Sequence, residues 1–259
     1  MKCIEELLLD KNLVSTYHHK LSEKNLIFYD TETTGILKDF SQILQCGSVL
    51  TDEGLNTLGE QNIGCAPLPW VIPQPMAMIT NKKIDLFKSN TSHYQMMKDL
   101  QMQWKQWSAE NPAIFITYNG HAFDEELVRR QFFWNLLEPY TTNTNGNGRL
   151  DLMLMIHNIA AFFSDEISMP LFEGGPGISY KLEHLAIEHG IDAGDAHDAI
   201  ADCNLMIEMC RIIKERLPEV FQSFINISTK PGVKELLYSE DFLALGEIHR
   251  RHTFRYPVV

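Results

Sequence analysis

The chain has 259 residues, of which 44% are hydrophobic and 22% charged, a balance typical of a folded globular protein. Its formal net charge of −12 argues against a protein that coats nucleic acid through bulk positive charge, but not against a nucleic-acid enzyme with a small basic groove. The five scattered cysteines form no CxxC pair, which argues against a zinc signature or a disulfide framework. Since no apolar run reaches the ~20 residues of a membrane span, we expect a cytoplasmic protein without a membrane partner.

The first part of the chain predicts a lead-in followed by strands. Residues 1–23 predict a short helix with leucines on one side. The stretch NLIFYDTETTG, which begins at Asn25, predicts a strand that is apolar on both faces and therefore central in a sheet. The next segments, QILQCGSVLTDEG and LNTLGEQNIGCAPLP, predict a second strand and a third.

The middle of the chain alternates between helices and strands. PLPWVIPQPMAMITN is rich in proline and predicts no long regular element, whereas SHYQMMKDLQMQWKQWSAEN predicts a helix. AIFITYNG predicts a second buried strand that ends at an Asn-Gly turn. DEELVRRQFFWNLL opens with three acidic residues, which suits a helix N-terminus.

The remaining segments predict a flexible loop and more helices. TTNTNGNG is polar and glycine-rich, and RLDLMLMIHNIAAFF predicts a helix after it. SYKLEHLAIEHG and DAHDAIADCNLMIEMCRIIKERL predict two further helices, the second long and amphipathic. This order of elements indicates an α/β or α+β domain with a mixed sheet over residues 24–216, followed by a C-terminal appendage over 217–259.

Acidic side chains recur where the predicted buried elements end or begin. Asp30 and Glu32 close the first strand, and their i, i+2 spacing places both on one face of it. Asp124 follows the second buried strand, and Asp202 enters a helix five residues after His197. A solvated turn, a helix cap or a surface histidine explains each one alone, but together they indicate a site.

Carboxylates without cysteine are the ligands that Mg²⁺ and Mn²⁺ prefer. Two such ions about 4 Å apart can stabilise both the attacking and the leaving oxygen of a phosphodiester. A histidine with an ordinary pKa of about 6.5 can take a proton from the attacking water. The residue types therefore fit two-metal hydrolysis with a histidine base.

The motifs DTET, NGHAFDEELVRR and AHDAIAD resemble those of the DnaQ-like DEDDh 3′→5′ exonucleases. Within that superfamily, IPQPMAMITN, YNGHAFDEELVRRQFFWNLLEPY and SYKLEHLAIEHGIDAGDAHDAIADCNLMIEM are similar to bacterial exonuclease I. The resemblance implies a ribonuclease H-like fold, in which a central mixed β-sheet is flanked by helices. It also implies that the C-terminal extension is the opening or a remnant of an SH3-like domain.

The resemblance assigns roles to the acidic positions. Asp30 would bridge two Mg²⁺ or Mn²⁺ ions, Glu32 and Asp202 would each complete one coordination shell, and Asp124 would act directly or through water. His197 would be the general base, so hydrolysis should increase with pH between roughly 6.5 and 8 as the imidazole becomes neutral. One of the two aspartates that flank His197 is expected to cap the following helix.

The resemblance also implies contacts with the substrate. The residues concerned are Glu32, Thr33, Thr34 and Gly35 at the 3′-terminal nucleotide, the last three through backbone groups, and Lys181, Arg129 and Tyr140 along the single strand. Solvated surface charge remains an alternative for the two basic residues, and a loop anchor for the tyrosine. The 141–148 loop offers no aromatic side chain for base stacking, which predicts a weak processive grip.

The function that the motifs and the resemblance predict is 3′→5′ hydrolysis of single-stranded DNA to 5′-mononucleotides. The resemblance also implies a single-strand-binding protein as a further partner. Two alternatives stay open. The same chemistry could act on RNA, because no residue can be identified that makes or excludes contacts to the 2′-OH. A module that binds nucleic acid or a replication partner without catalysis is the second alternative.

Overall fold

The computed structural model describes residues 24–194, 198–249 and 252–258, so the predicted helix over residues 1–23 lies outside the described residues. A five-stranded sheet with the order β3-β2-β1-β4-β5 organises the fold. Its strands are β1 (Asn25–Thr33), β2 (Ile43–Thr51), β3 (Thr57–Gly64), β4 (Ala113–Thr117) and β5 (Gly148–Asp151). β1 pairs antiparallel with β2 and parallel with β4, which confirms the mixed sheet and the central place of β1.

Helices connect and cover these strands. They are α1 (Pro75–Asn81), a 3₁₀ helix (Lys83–Lys88), α2 (His93–Trp107), α3 (Asp124–Trp134), α4 (Leu152–Phe162), α5 (Leu182–Glu188), α6 (Ala199–Arg216), α7 (Pro218–Asn226) and α8 (Lys230–Ser239). A separate antiparallel hairpin follows, made of β6 (Leu243–His249) and β7 (His252–Val258). Within residues 24–194, 198–249 and 252–258, no helix combines the length and the apolar character needed to cross a membrane.

The central strand is buried on both faces, as its sequence predicts. Leu26 and Phe28 belong to a cluster that includes side chains of α4 and α6, whereas Ile27 and Tyr29 pack on the other face with α2 and α3. Full burial of a large apolar side chain contributes roughly 1.5–3 kcal/mol, so two dense layers hold β1 rigidly. In the second layer, the fully buried Trp104 donates a hydrogen bond from Nε1 to Ser48 Oγ at 3.1 Å.

The structure corrects the prediction of a helix from residue 149. Gly148–Asp151 forms the edge strand β5, and the helix begins only at Leu152. Leu150 pairs with Ile116 of β4, and the Asp151 side chain caps α4 by accepting a hydrogen bond from the Met153 amide. Pairing with a strand distant in sequence overrides the local helical pattern.

The 141–148 loop is also different from its prediction as a flexible segment. Thr141, Thr142 and Asn147 are buried. Asn147 accepts a hydrogen bond from the Ala113 amide at 2.9 Å and donates one to the Thr141 carbonyl at 2.9 Å. Hydrogen bonds of a polar side chain therefore attach the loop to the sheet, and the composition of the loop alone did not indicate this order.

The segment after α6 continues the packing of the domain that contains the sheet. Phe221 and Ile225 of α7 belong to the same buried cluster as Leu26 and Phe28. The hairpin lies against α4, where the Gly246 amide donates to Asn158 Oδ1 at 3.1 Å. The domain boundary at residue 216 and the SH3-like assignment stay predictions.

Candidate active site

Three carboxylates from two different elements meet at the end of β1. Asp30 and Glu32 come from the strand and Asp202 from the first turn of α6, and each offers an oxygen within 4.8 Å of the others. The i, i+2 spacing turns both strand acids to one face. α6 can approach because β2 has glycine at position 47, where a Cβ would lie 2.6 Å from the Ala199 carbonyl carbon.

Asp124 lies beside this group rather than within it. It opens α3, is 6% exposed, and accepts a hydrogen bond from the Thr31 hydroxyl of β1. Its charge acts on Asp30, where it is the largest contribution after burial to a raised pKa. Asp124 thus shares the electrostatics of the three-carboxylate group, and Thr31 fixes its orientation.

The surroundings of these acids disfavour their ionised forms. Burial, followed by repulsion from Asp124, Asp202 and Glu32, raises the pKa of Asp30 well above its ordinary value. Burial raises the pKa of Glu32 to about 8, against the opposing charge of Lys83. Burial likewise raises the pKa of Asp124 to about 6, although the hydrogen bond from Thr31 opposes the shift.

This arrangement fits a divalent metal ion. Neighbouring buried carboxylates repel one another unless protons or a cation compensate their charge. Their hard oxygen atoms, without a sulfur ligand among them, suit Mg²⁺ or Mn²⁺. A bound cation would replace the protons that the raised pKa values indicate. The cluster is thus of the kind that holds metal ions.

His197 lies outside the described residues, but its neighbour is defined. Asp198 is the N-cap of α6, and its Oδ1 accepts a hydrogen bond from the Ile200 amide at 3.2 Å, which confirms the expected cap. Its Oδ2 accepts a hydrogen bond from Lys83 Nζ at 2.9 Å. No local sequence pattern indicates this ion pair, because Lys83 and Asp198 are more than a hundred residues apart in the chain.

The residues after Glu32 are largely bonded within the protein. Thr33 Oγ1 donates to the Gly35 carbonyl at 2.8 Å. The Thr34 amide donates to the Gln42 carbonyl at 2.8 Å, and the Thr34 carbonyl accepts from the Gln74 amide at 2.7 Å. The Thr34 backbone donor is therefore used within the protein in this structure, and its contact with a nucleotide stays a prediction. Nucleotide contacts by Glu32, Thr33 and Gly35 stay predictions.

The other predicted substrate contacts lie at the surface. Lys181, just before α5, forms an ion pair with Glu183 at 3.1 Å. Arg129 of α3 forms an ion pair with Glu126 at 2.7 Å, and its pKa is raised, first by Glu126 and to a smaller extent by the nearby, half-exposed Tyr140. The structure brings Arg129 and Tyr140 together, while their contact with a nucleic acid stays a prediction.

A cleft lined by aromatic side chains was not anticipated from the sequence. It has a volume of about 380 Å³ and is lined by Phe40, Trp70 and Trp134, together with Val71 and Ile72. Because these positions are dispersed over two loops and the end of α3, no local pattern could group them. They supply flat apolar surfaces that the 141–148 loop lacks.

The sheet order defines a ribonuclease H-like fold, with a cluster of three carboxylates at the end of its central strand. In amino-acid sequence, the chain is similar to exodeoxyribonuclease I of Buchnera aphidicola subsp. Schizaphis graminum. The two are 29% identical over 227 residues, which cover 86% of this chain and 46% of the relative. No family model matches the chain.

Solved structures show the same similarity to exonuclease I. Escherichia coli exonuclease I in complex with a dA16 oligonucleotide superposes with a TM-score of 0.76 at 25% identity, covering 82% of this chain and 45% of the other. The zinc-bound form of its complex with single-stranded DNA gives 0.74 at 26% identity, with the same coverage. An ExoI/SSB-Ct complex gives 0.75 at 22% identity, covering 86% and 48%.

These comparisons confirm the resemblance to exonuclease I and the expected ribonuclease H-like fold. The chain spans about half the length of the curated relatives it matches.

Proposed function

We propose that this chain is a metal-dependent 3′→5′ exonuclease that degrades single-stranded DNA to 5′-mononucleotides. The observation that carries the proposal is the convergence of Asp30, Glu32 and Asp202 within 4.8 Å, in a fold similar to that of exonuclease I bound to DNA. Neither element alone would make a site. The carboxylates of β1 and α6 meet at the end of the rigid central strand, which is the arrangement that metal-assisted hydrolysis needs.

The proposed ligands are Asp30, Glu32 and Asp202, with Asp124 joining directly or through water. Two Mg²⁺ or Mn²⁺ ions would supply a nucleophile at neutral pH and stabilise the charge that develops on the phosphate. The proposed ligands project from β1 and α6, whose apolar side chains pack in one core, so little reorganisation is needed when the substrate arrives. His197, one residue before the cap of α6, would take the proton from the attacking water.

Single-stranded DNA is proposed as the substrate because the similar solved structures include complexes with DNA oligonucleotides. Arg129 and Lys181 offer positive charge for phosphates, and Tyr140 and the aromatic cleft offer surfaces for bases. Stacking on aromatic side chains is worth about 1–3 kcal/mol per base and tolerates any sequence, which suits an enzyme that digests strands generically.

Two further expectations belong to this proposal. A single-strand-binding protein is the proposed partner, supported by the ExoI/SSB-Ct complex among the similar structures. A cytoplasmic location is proposed because the relatives are bacterial exodeoxyribonucleases.

The decisive experiment is product analysis with 3′-labelled single-stranded DNA, duplex DNA and RNA, each with Mg²⁺, Mn²⁺ or EDTA. Mononucleotides from single-stranded DNA with either metal are expected, and activity in EDTA would refute the metal mechanism. Preferential release from RNA would instead establish the ribonuclease alternative.

Two variants separate catalysis from binding. Asp30→Asn should abolish hydrolysis but leave strand binding measurable, whereas Asp241→Asn, at an exposed position between α8 and β6, should behave like the wild type. Unchanged function of Asp30→Asn without metal would favour the non-catalytic alternative.

A further inference from the structure

A series of hydrogen bonds leads away from the end of β1 at the residue after Glu32. The side chain of Asn81, at the end of α1, is 5% exposed and donates from Nδ2 to the Thr33 carbonyl at 2.9 Å. Its Oδ1 accepts a hydrogen bond from the Lys83 amide at 3.2 Å. The start of the 3₁₀ helix is thereby bonded to the strand that carries Asp30 and Glu32.

The series continues through the side chain of Lys83 to α6. Lys83 Nζ lies 2.9 Å from Asp198 Oδ2, and the lysine side chain is only 16% exposed. Asp198 caps the helix through the Ile200 amide, and its carbonyl accepts from the Asp202 amide at 2.9 Å. The end of β1 is therefore linked to the backbone of Asp202 through named contacts.

Such a link is needed because the three carboxylates of the site come from two different elements, β1 and α6. Gly47 lets α6 approach the sheet, but close packing of an apolar helix face leaves its axial rotation adjustable. The oxygen atoms of Asp202 must nevertheless lie within 4.8 Å of those of Asp30 and Glu32. A directional ion pair at the helix cap can fix that rotation, since the lysine is largely buried and its charge-assisted hydrogen bond to the half-exposed Asp198 has a defined geometry.

We propose that Lys83 and Asp198 are a positioning pair that holds Asp202 against Asp30 and Glu32, so that divalent metal binding depends on their ion pair. The inference rests on the proposed function for the identity of the site, but it is tested by metal affinity. Residues that orient metal ligands from outside the coordination shell typically change metal affinity or activity by about 10–100-fold when they are replaced.

Charge and position make different predictions for Lys83→Met and for the double variant. If only charge mattered, Lys83→Met would strengthen cation binding by removing a positive charge, and Asp198→Asn would weaken it by removing a negative one. The double variant would then resemble the wild type, because its net charge is unchanged. If position matters, all three variants lose affinity, and the double variant loses no more than about as much as either single one.

The experiment measures Mn²⁺ affinity by electron paramagnetic resonance titration for the wild type and these three variants. Asp198→Asn retains an amide oxygen that can accept from the Ile200 amide, so the helix cap survives while the ion pair is lost. We expect Mn²⁺ affinity to fall about tenfold or more in each variant and to recover partly in Lys83→Arg. A urea-unfolding midpoint close to that of the wild type serves as the check that each variant is folded.

Lys88→Met is the matched control, since Lys88 is an exposed lysine in the last turn of the same 3₁₀ helix. It should bind Mn²⁺ like the wild type. Wild-type affinity in all three pair variants would overturn the inference, and so would the opposite single effects that charge alone predicts. A wild type that binds Mn²⁺ but does not cleave DNA would refute the proposed function and leave the positioning role supported.

Discussion

Metal-free protein should become less stable as the pH rises from 5 to 8, because the site holds Glu32 in a protonated state. The pKa of Glu32 is raised from 4.5 to about 8. The folded protein therefore binds this proton more tightly than the unfolded chain, whose glutamate titrates near its ordinary value. Stability contributed by the proton is fully present below about pH 4.5 and is lost as the pH approaches 8.

The size of the effect follows from the shift. One pKa unit corresponds to about 1.4 kcal/mol, so the fall between pH 5 and pH 8 from Glu32 alone is at most about 3–4 kcal/mol. Asp30 and Asp124, whose pKa values are also raised, contribute with the same sign. A bound divalent cation should reverse the trend, since it stabilises the ionised ligands that are most abundant at high pH.

Urea unfolding in EDTA at both pH values, repeated with excess Mn²⁺, measures these free energies. The pH-dependent fall should be smaller in Glu32→Gln, which has no proton to lose, and unchanged in Glu110→Gln at an exposed position. A wild-type stability in EDTA that is flat or rises over this range would refute the electrostatic description of the site. So would a fall of equal size in Glu32→Gln.

Three further outcomes are expected. Asp202→Asn should lower the rate of strand cleavage about a hundredfold or more at saturating substrate, because the site loses a proposed metal ligand and with it several kcal/mol of transition-state stabilisation. Cleavage within tenfold of the wild type would exclude Asp202 as a ligand. The cleavage rate at saturating metal should rise between about pH 6.5 and 8, and a flat profile from pH 6 to 9 would remove His197 from the role of base. Gly47→Ala should lower the free energy of unfolding by about 1–3 kcal/mol and weaken Mn²⁺ binding, because its Cβ would lie 2.6 Å from the Ala199 carbonyl carbon and displace α6. Wild-type stability and metal affinity in that variant, measured by urea unfolding and Mn²⁺ titration, would show that the helix is not held at this contact.

Local sequence determined the parts of the site that depend on short-range geometry. The spacing of Asp30 and Glu32 fixes their common face, because side chains alternate along any strand. The run before them predicts a central strand, since only a strand covered on both sides is apolar at consecutive positions. The cap of α6 at Asp198 is local in the same sense, because the Asp198 side chain bonds an amide two residues on.

Tertiary structure alone decided which of these local features meet. The edge strand at Gly148–Asp151 has a helical pattern, and only pairing with β4 makes it a strand. The 141–148 loop has the composition of a mobile segment, yet its side chains satisfy buried polar groups of the sheet. In both cases the deciding contacts join residues far apart in the chain, which a short window of sequence does not contain.

The same reason separates the acids from the contacts that position them. The sequence identified Asp30, Glu32, Asp124 and Asp202 as a set, because their types and motifs carry the chemistry. It did not show that Asp124 stands beside the three-carboxylate group, bonded to Thr31, nor that Lys83 reaches Asp198 across more than a hundred residues. Residue type and spacing determined the chemistry that this chain can offer, whereas packing of α6 and the 3₁₀ helix against β1 decided the geometry in which it is offered.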